Sequence, residues 1–363
     1  MVQQAICFLQ RTFEMTKQKS GFIPLNRRAI LKMSASVVGI ASGLGSQNVS
    51  AASDPKIIEA AKKEGEITLY SSASTGPTNS VAQAFKAKYG IPVSVYRAGS
   101  AEIATRVQKE ETSRRNLADA LIIEEPALSL LMPYLAIYDS PERATIDAAY
   151  KAPQFTLLRM YMSQIGWNSN KIKGNDAPKD WKDLLDPKWK GRLGSLDPHV
   201  TATTLAWQAM VSKIYGPQFL QAFGANKPKL YGSTNAMSQA IVSGEIDLGI
   251  TNSFGVIQMA ETGAPIAGIL PKNVVLYGGN VSVFSKAPHP NAARLFCDFA
   301  CSAEGQTLIN VAGATIPTHP ESRAPKAGSL AEWGKTQILN QPDYKKIIAD
   351  SEAMLAEWDK HIK

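Results

Sequence analysis

Pro178-Lys-Asp-Trp-Lys-Asp-Leu-Leu-Asp186-Pro-Lys-Trp-Lys-Gly-Arg192-Leu-Gly-Ser-Leu-Asp197-Pro-His-Val-Thr-Ala-Thr-Thr204 decides how the chain is read. Trp181, Leu184 and Leu185 recur at helical spacing, and Asp186-Pro187 ends that turn because a residue before proline is pushed out of the α region. Gly191 to Leu196 then reads as a short strand. Asp197-Pro198 leads into the hydroxyl-rich run Val200 to Thr204, which opens an apolar helix from Leu205 to Ile214. A strand, a polar turn and a helix N-terminus in that order aim free backbone N–H groups at a ligand.

Working outward, the chain alternates strand and helix. Asp54 caps a first helix that ends near Gly65. Strands are expected at Ile67 to Tyr70, Val93 to Tyr96 and Ala120 to Ile123, with helices at Val81 to Tyr89 and Ala101 to Glu111 between them. A helix after each strand implies parallel pairing through right-handed crossovers. Met160 to Trp167 reads as a longer strand. Beyond the opening stretch come Pro217 to Phe223, a strand at Lys229 to Tyr231, a helix from Asn235 to Ser243 and a strand at Leu248 to Thr251. Further strands fall near Ile266 and Val281, helices run from Asn291, and a charged helix from Asp343 to His361 is expected on the outside.

With 363 residues, 44% of them hydrophobic and 19% charged, the chain is long enough for two or three domains and a sizeable core. Its net charge of +8 is unevenly placed, because residues 1–51 hold six Lys or Arg against Glu14 alone. What remains is too scattered for a nucleic-acid partner. Asn26-Arg-Arg-Ala-Ile-Leu-Lys32, the apolar run Met33 to Leu44 and the small residues Val49-Ser50-Ala51 resemble a twin-arginine signal peptide over 1–51, removed after export to the periplasm. Asn26 and Ile30 stand where that motif usually has Ser or Thr and Phe, so general secretion stays open. Of the three cysteines, Cys7 falls in the leader, while Cys297 and Cys301 lie four apart on an apolar helix and read as buried small residues.

The opening stretch resembles the W-x-D-L-x-D-P-x-W-K-G segment of bacterial periplasmic solute-binding proteins of the ferric-iron, thiamine and phosphonate group, which serve ABC importers. Ile67-Thr-Leu-Tyr-Ser-Ser72, Ser243-Gly-Glu-Ile-Asp-Leu-Gly-Ile250 and Ala287-Pro-His-Pro-Asn-Ala-Ala-Arg-Leu-Phe296 agree with it in chain order. The resemblance covers the chain after Ala52. It implies an α/β, two-lobed periplasmic binding protein fold of type II, each lobe a mixed sheet flanked by helices, with a ligand cleft between lobes. The first lobe is expected from 52–167 and again from 252–363 with the C-terminal helices, and the second from 168–251. The implied partners are a small-molecule solute and the permease subunits of an ABC importer in the inner membrane, with the protein a monomer.

Four strand-to-helix turns are then candidates for the cleft. The first carries Ser72, Ser74 and Thr75, the second Ser100, the third Thr201 and Thr203, and the fourth Asn252 and Phe254. Ferric-binding members of the family place two adjacent tyrosines at the fourth turn, where Phe254 and Gly255 stand. A phenyl ring and a hydrogen cannot replace phenolate oxygens, so the pocket suits a small organic or phosphorylated anion held by hydroxyls and backbone N–H groups. Ferric iron or a ferric chelate held by other ligands is the alternative. Arg97 and Arg159 are further charged candidates, and His199 follows the third turn. No metal ligands or cofactor are called for. The enzyme reading has little support after residue 52: there is no nucleophile elbow, H-E-x-x-H, Walker A or dinucleotide fingerprint, and Glu110-Glu111 and Glu124-Glu125 read as solvated.

Overall fold

The computed structural model describes residues 54–125, 127–323, 337–340 and 342–362, so the leader read over 1–51 lies outside the described residues. Asp54 accepts the Lys56 N–H and starts α1 (Pro55–Glu64), which Gly65 ends in the left-handed region. Then follow β1 (Ile67–Ser71), α2 (Thr75–Tyr89), β2 (Val93–Arg97), α3 (Ser100–Ser113), β3 (Ala120–Glu124) and the short α4 (Ala127–Leu131). After β4 (Lys151–Ala152) and the long β5 (Phe155–Asn168), the chain makes β6 (Leu193–Leu196), α5 (Thr203–Tyr215), α6 (Gln218–Ala225), β7 (Lys229–Tyr231), α7 (Thr234–Ser243), β8 (Leu248–Asn252) and α8 (Ser253–Glu261). It closes with β9 (Ile266–Ile269), β10 (Asn273–Val283), α9 (Pro290–Cys301), α10 (Ala303–Gly313), β11 (Ile316–Pro317), β12 (Ile338–Asn340), α11 (Tyr344–Ala349) and α12 (Ser351–Ile362).

Parallel pairs form where helices separate strands: β1 lies between β2 and β3, and β6 between β7 and β8. The two sets are joined by antiparallel strands in the order β2-β1-β3-β10-β5-β8-β6-β7. Strand β5 belongs to both. Thr156 to Met162 pair with β10, while Ser163 to Trp167 pair with β8. At that handover the backbone is held by side chains: Met162 N–H donates to Ser253 Oγ at 3.2 Å and Val275 N–H to Ser163 Oγ at 2.9 Å. The core divides at the same place. One apolar cluster gathers Phe85, Leu158, Phe296 and Phe299, and another Tyr161, Trp181, Trp207, Phe223 and Trp358. The result is two lobes joined through shared strands, an arrangement suited to hinge closure.

Two local expectations are corrected. Trp181–Leu185 and Pro187–Trp189 are 3₁₀ turns rather than an α-helix, because Pro187 stops the first segment after one turn; Asp180 and Asp183 cap its start reciprocally. The charged C-terminal helix is broken at Asp350 and is not peripheral. Ile347, Leu355 and Trp358 are buried in the cluster built around Trp181 and Trp207, so α11 and α12 cover α5 and α6. The charge on its outer face masked an apolar stripe.

Candidate functional site

Five helices from both lobes begin at one cleft of about 330 Å³. Their first residues are Thr75 in α2, Ser100 in α3, Thr203 in α5, Thr234 in α7 and Ser253 in α8. At α7, Ser233 accepts the Ala236 N–H in the usual capping bond. The capping positions of the other four, Ser74, Gly99, Ala202 and Asn252, make no side-chain capping bond. First-turn N–H groups generally have no intrahelical acceptor, although in α5 Thr204 and Leu205 N–H already donate to the Thr201 and Ala202 carbonyls and Pro77 in α2 has no N–H, and each helix adds a partial positive charge at this end. Four uncapped N-termini around one cleft make a field that favours an anion.

All eight residues singled out from the sequence line this cleft: Ser72, Ser74, Thr75, Ser100, Thr201, Thr203, Asn252 and Phe254. Several also brace it. Thr201 Oγ1 donates to the Asp197 carbonyl at 2.8 Å, holding the turn after β6. Asn252 Nδ2 donates to Thr234 Oγ1 at 2.9 Å and ties α8 to α7. Phe254 is both core and wall, packed edge-to-face on Tyr161 at 5.2 Å between ring centres. Tyr277 donates its hydroxyl to the Thr203 carbonyl at 2.9 Å and fixes the start of α5.

The charged residues differ from the sequence reading. Glu124 and Glu125, expected to be solvated, are buried at the end of β3 and line the cleft. Glu124 accepts from the Ser72 hydroxyl and from Arg159 Nη2. Arg159, 4% exposed, spends its charge on that pair, and its Nε is buried with no hydrogen-bond partner. Glu125 accepts from Ser129 Oγ at 2.9 Å, and burial pushes its carboxyl up to about 7 against the hydrogen bonds from Ser129. Burial, with help from Glu124, also raises the Tyr161 hydroxyl above its usual range, so it stays a neutral phenol. Arg97 is exposed at the cleft and donates Nε to the Ala73 carbonyl at 3.4 Å. His199 is not in the lining; its Nε2 lies 2.9 Å from Asp359 Oδ1 on α12.

The sequence reading missed Ser233, Thr234 and Asn235 as cleft residues. Their signal was available, since Gly232-Ser-Thr-Asn follows a short strand and opens a helix like the four turns that were named. Gly255 sits where α8 and α7 come closest: a Cβ there would lie 2.4 Å from Thr234 Cγ2 and 2.6 Å from Ser238 Oγ. A side chain there fits only if Thr234 and Ser238 shift. Gly255→Ala is therefore expected to lose about 1–3 kcal/mol in urea unfolding; an unchanged midpoint would show that the two helices yield freely. Among the described residues, no group of three or more His, Cys, Asp or Glu is placed to hold a metal ion, and no helix is long and apolar enough to cross a membrane.

Comparison with known proteins agrees with this architecture. The chain is 26% identical over 280 residues to the major ferric iron-binding protein of Neisseria meningitidis serogroup B, covering 70% of this chain and 81% of that protein. It is 24% identical over 294 residues to a putative 2-aminoethylphosphonate-binding periplasmic protein of Salmonella typhimurium, covering 76% and 85%. In fold it is similar to the periplasmic binding protein AfuA of Actinobacillus pleuropneumoniae, solved with fructose-6-phosphate, at a TM-score of 0.72 and 21% identity over 82% of this chain and 98% of that one. Residues 67–314 match the model of the bacterial extracellular solute-binding protein family, and these residues span the lobes, the shared strands and the cleft: the chain belongs to that family.

Proposed function

We propose that this protein is the substrate-binding component of an ABC importer, a monomer that captures a small organic or phosphorylated anion in the periplasm and presents it to the membrane permease. The observation that carries the reading is the convergence of four uncapped helix N-termini from both lobes on one cleft. An anion bridging them would draw the lobes together, and the handover of β5 between its partners near Met162 and Ser163 gives the motion a hinge. Relatives named for a ferric ion and for 2-aminoethylphosphonate, and a structural neighbour holding fructose-6-phosphate, mark the range of solutes to test. The periplasmic location rests on the leader read in residues 1–51 and on relatives being periplasmic binding proteins by name.

Ferric iron is the lesser reading for this cleft. Glu124 is already paired with Arg159, Tyr161 is held as a phenol, and Gly255 leaves no room for a tyrosine. A thermal-shift screen of the purified protein against phosphonates, sugar phosphates, small carboxylates, thiamine and ferric chelates tests the choice. A solute present at a hundred times its dissociation constant stabilises by about 2.7 kcal/mol, a readable change in midpoint. A shift with an organic anion and none with ferric ion is expected. A shift with ferric ion alone would overturn the reading.

A further inference from the structure

We infer that Glu125 is a specificity-determining residue that pairs with a cationic group of the solute, so that the captured molecule carries an ammonium as well as an anion. The inference rests on the reading of the cleft as the solute site. Its basis is an imbalance among the charged groups that line the cleft. The helix N-termini and Arg97 supply positive potential to the cleft. At the end of β3, by contrast, two buried carboxylates stand together and only one is neutralised. Arg159, which could have served Glu125, is committed to Glu124. Glu125 accepts from Ser129 on α4 and acts electrostatically on Tyr344 of α11, while Glu124 on β3 and Arg159 and Tyr161 on β5 line the same cleft. None of them supplies Glu125 with a cation, because Arg159 is spent and the tyrosines are kept protonated by burial. An unpaired carboxylate at this depth is costly unless a ligand cation completes it.

With nothing beside it, burial holds the Glu125 carboxyl near 7, so around neutral pH part of the protein carries a proton there. An ammonium beside the carboxylate favours its charged form, and binding releases that proton to the buffer. An anion or a neutral group in the same place would release none or take one up. Affinity for an amino-bearing solute should therefore fall as pH drops below about 7.

The test is isothermal titration with three matched pairs: ethylphosphonate and 2-aminoethylphosphonate, ethanesulfonate and 2-aminoethanesulfonate, propionate and 3-aminopropionate. Each is measured at pH 7 in two buffers of different ionisation enthalpy. In the pair that binds, the amino member should bind roughly tenfold tighter or more, the effect of one charge-assisted hydrogen bond. It should also release a fraction of a proton. Glu125→Gln still accepts the Ser129 hydroxyl through its amide oxygen, so a mere cap of α4 would leave both readouts as they were. The inference expects this variant to lose the preference and the proton release, and subtracting it removes the solute's own ionisation. Equal affinities within a pair, or proton uptake, would overturn the inference. No binding by any pair member, while other solutes in the screen bind, would overturn it too and leave the cleft reading standing. No binding of any solute in the screen would overturn the cleft reading beneath it.

Discussion

Replacing Arg159 by methionine is expected to cost about 3–5 kcal/mol of unfolding free energy at neutral pH, the loss usual when one partner of a buried ion pair is removed. Arg159 lies on β5 just before the strand changes partners, 4% exposed, with its guanidinium on Glu124 and 5.5 Å from the Tyr161 ring centre. Removing it strands a carboxylate that is 8% exposed, at a site where Glu125 already resists ionisation. The cost is that of the uncompensated charge more than of the lost contact. The double variant Glu124→Gln with Arg159→Met should therefore be much closer to the parent than the single variant. Urea unfolding of the parent, both single variants and the double variant reads the coupling directly. A loss below about 1 kcal/mol for Arg159→Met would be that of a solvated pair and would remove the argument that Arg159 is unavailable to Glu125.

Trp358→Ala is expected to be as damaging, about 3–5 kcal/mol, because it empties a site in the core built around Trp181 and Trp207 rather than trimming an outer helix. The indole is fully buried and packs on Phe223 of α6 at 6.4 Å between ring centres. Around it α12 is fastened at several points. Gln208 Nε2 donates to the Met354 carbonyl at 2.9 Å, His199 meets Asp359, and Gly224 approaches so closely that a Cβ would sit 2.0 Å from the His361 carbonyl oxygen. Since His199 belongs to the turn that carries Thr201 and Thr203, loosening α12 should also weaken solute binding. Unfolding and titration of the same variant check both effects. Full stability in Trp358→Ala would contradict the packing of α12 against α5 and α6.

The elements that decide the fold were legible because they obey local rules. Short β-branched and apolar runs marked β1, β2, β3 and β8, and hydroxyl-rich turns after them announced the helices that follow, although these begin at Thr75, Ser100 and Thr203, ahead of the expected Val81, Ala101 and Leu205. What the sequence concealed was set by distant partners. Glu124-Glu125 reads as a solvated pair until Arg159, thirty-five positions later, is brought beside it by β10 lying between β3 and β5. The burial of Trp358 depends on Phe223, far back in the chain, and nothing in 343–361 announces which lobe it covers. At Trp181 the helical spacing was real, but one turn between Asp180 and Pro187 is too short to tell α from 3₁₀ geometry. His199 was drawn to the ligand by its place after Asp197-Pro198, and the structure turns it to α12 instead.

The central claim is that the cleft holds an organic anion on helix N-termini without the help of a metal. The measurement that tests it most directly is calorimetric titration of the solute found in the screen into protein treated with a strong chelator. The account expects one solute per chain with affinity unchanged by the chelator. Loss of binding after chelation, restored by adding ferric ion, would contradict it.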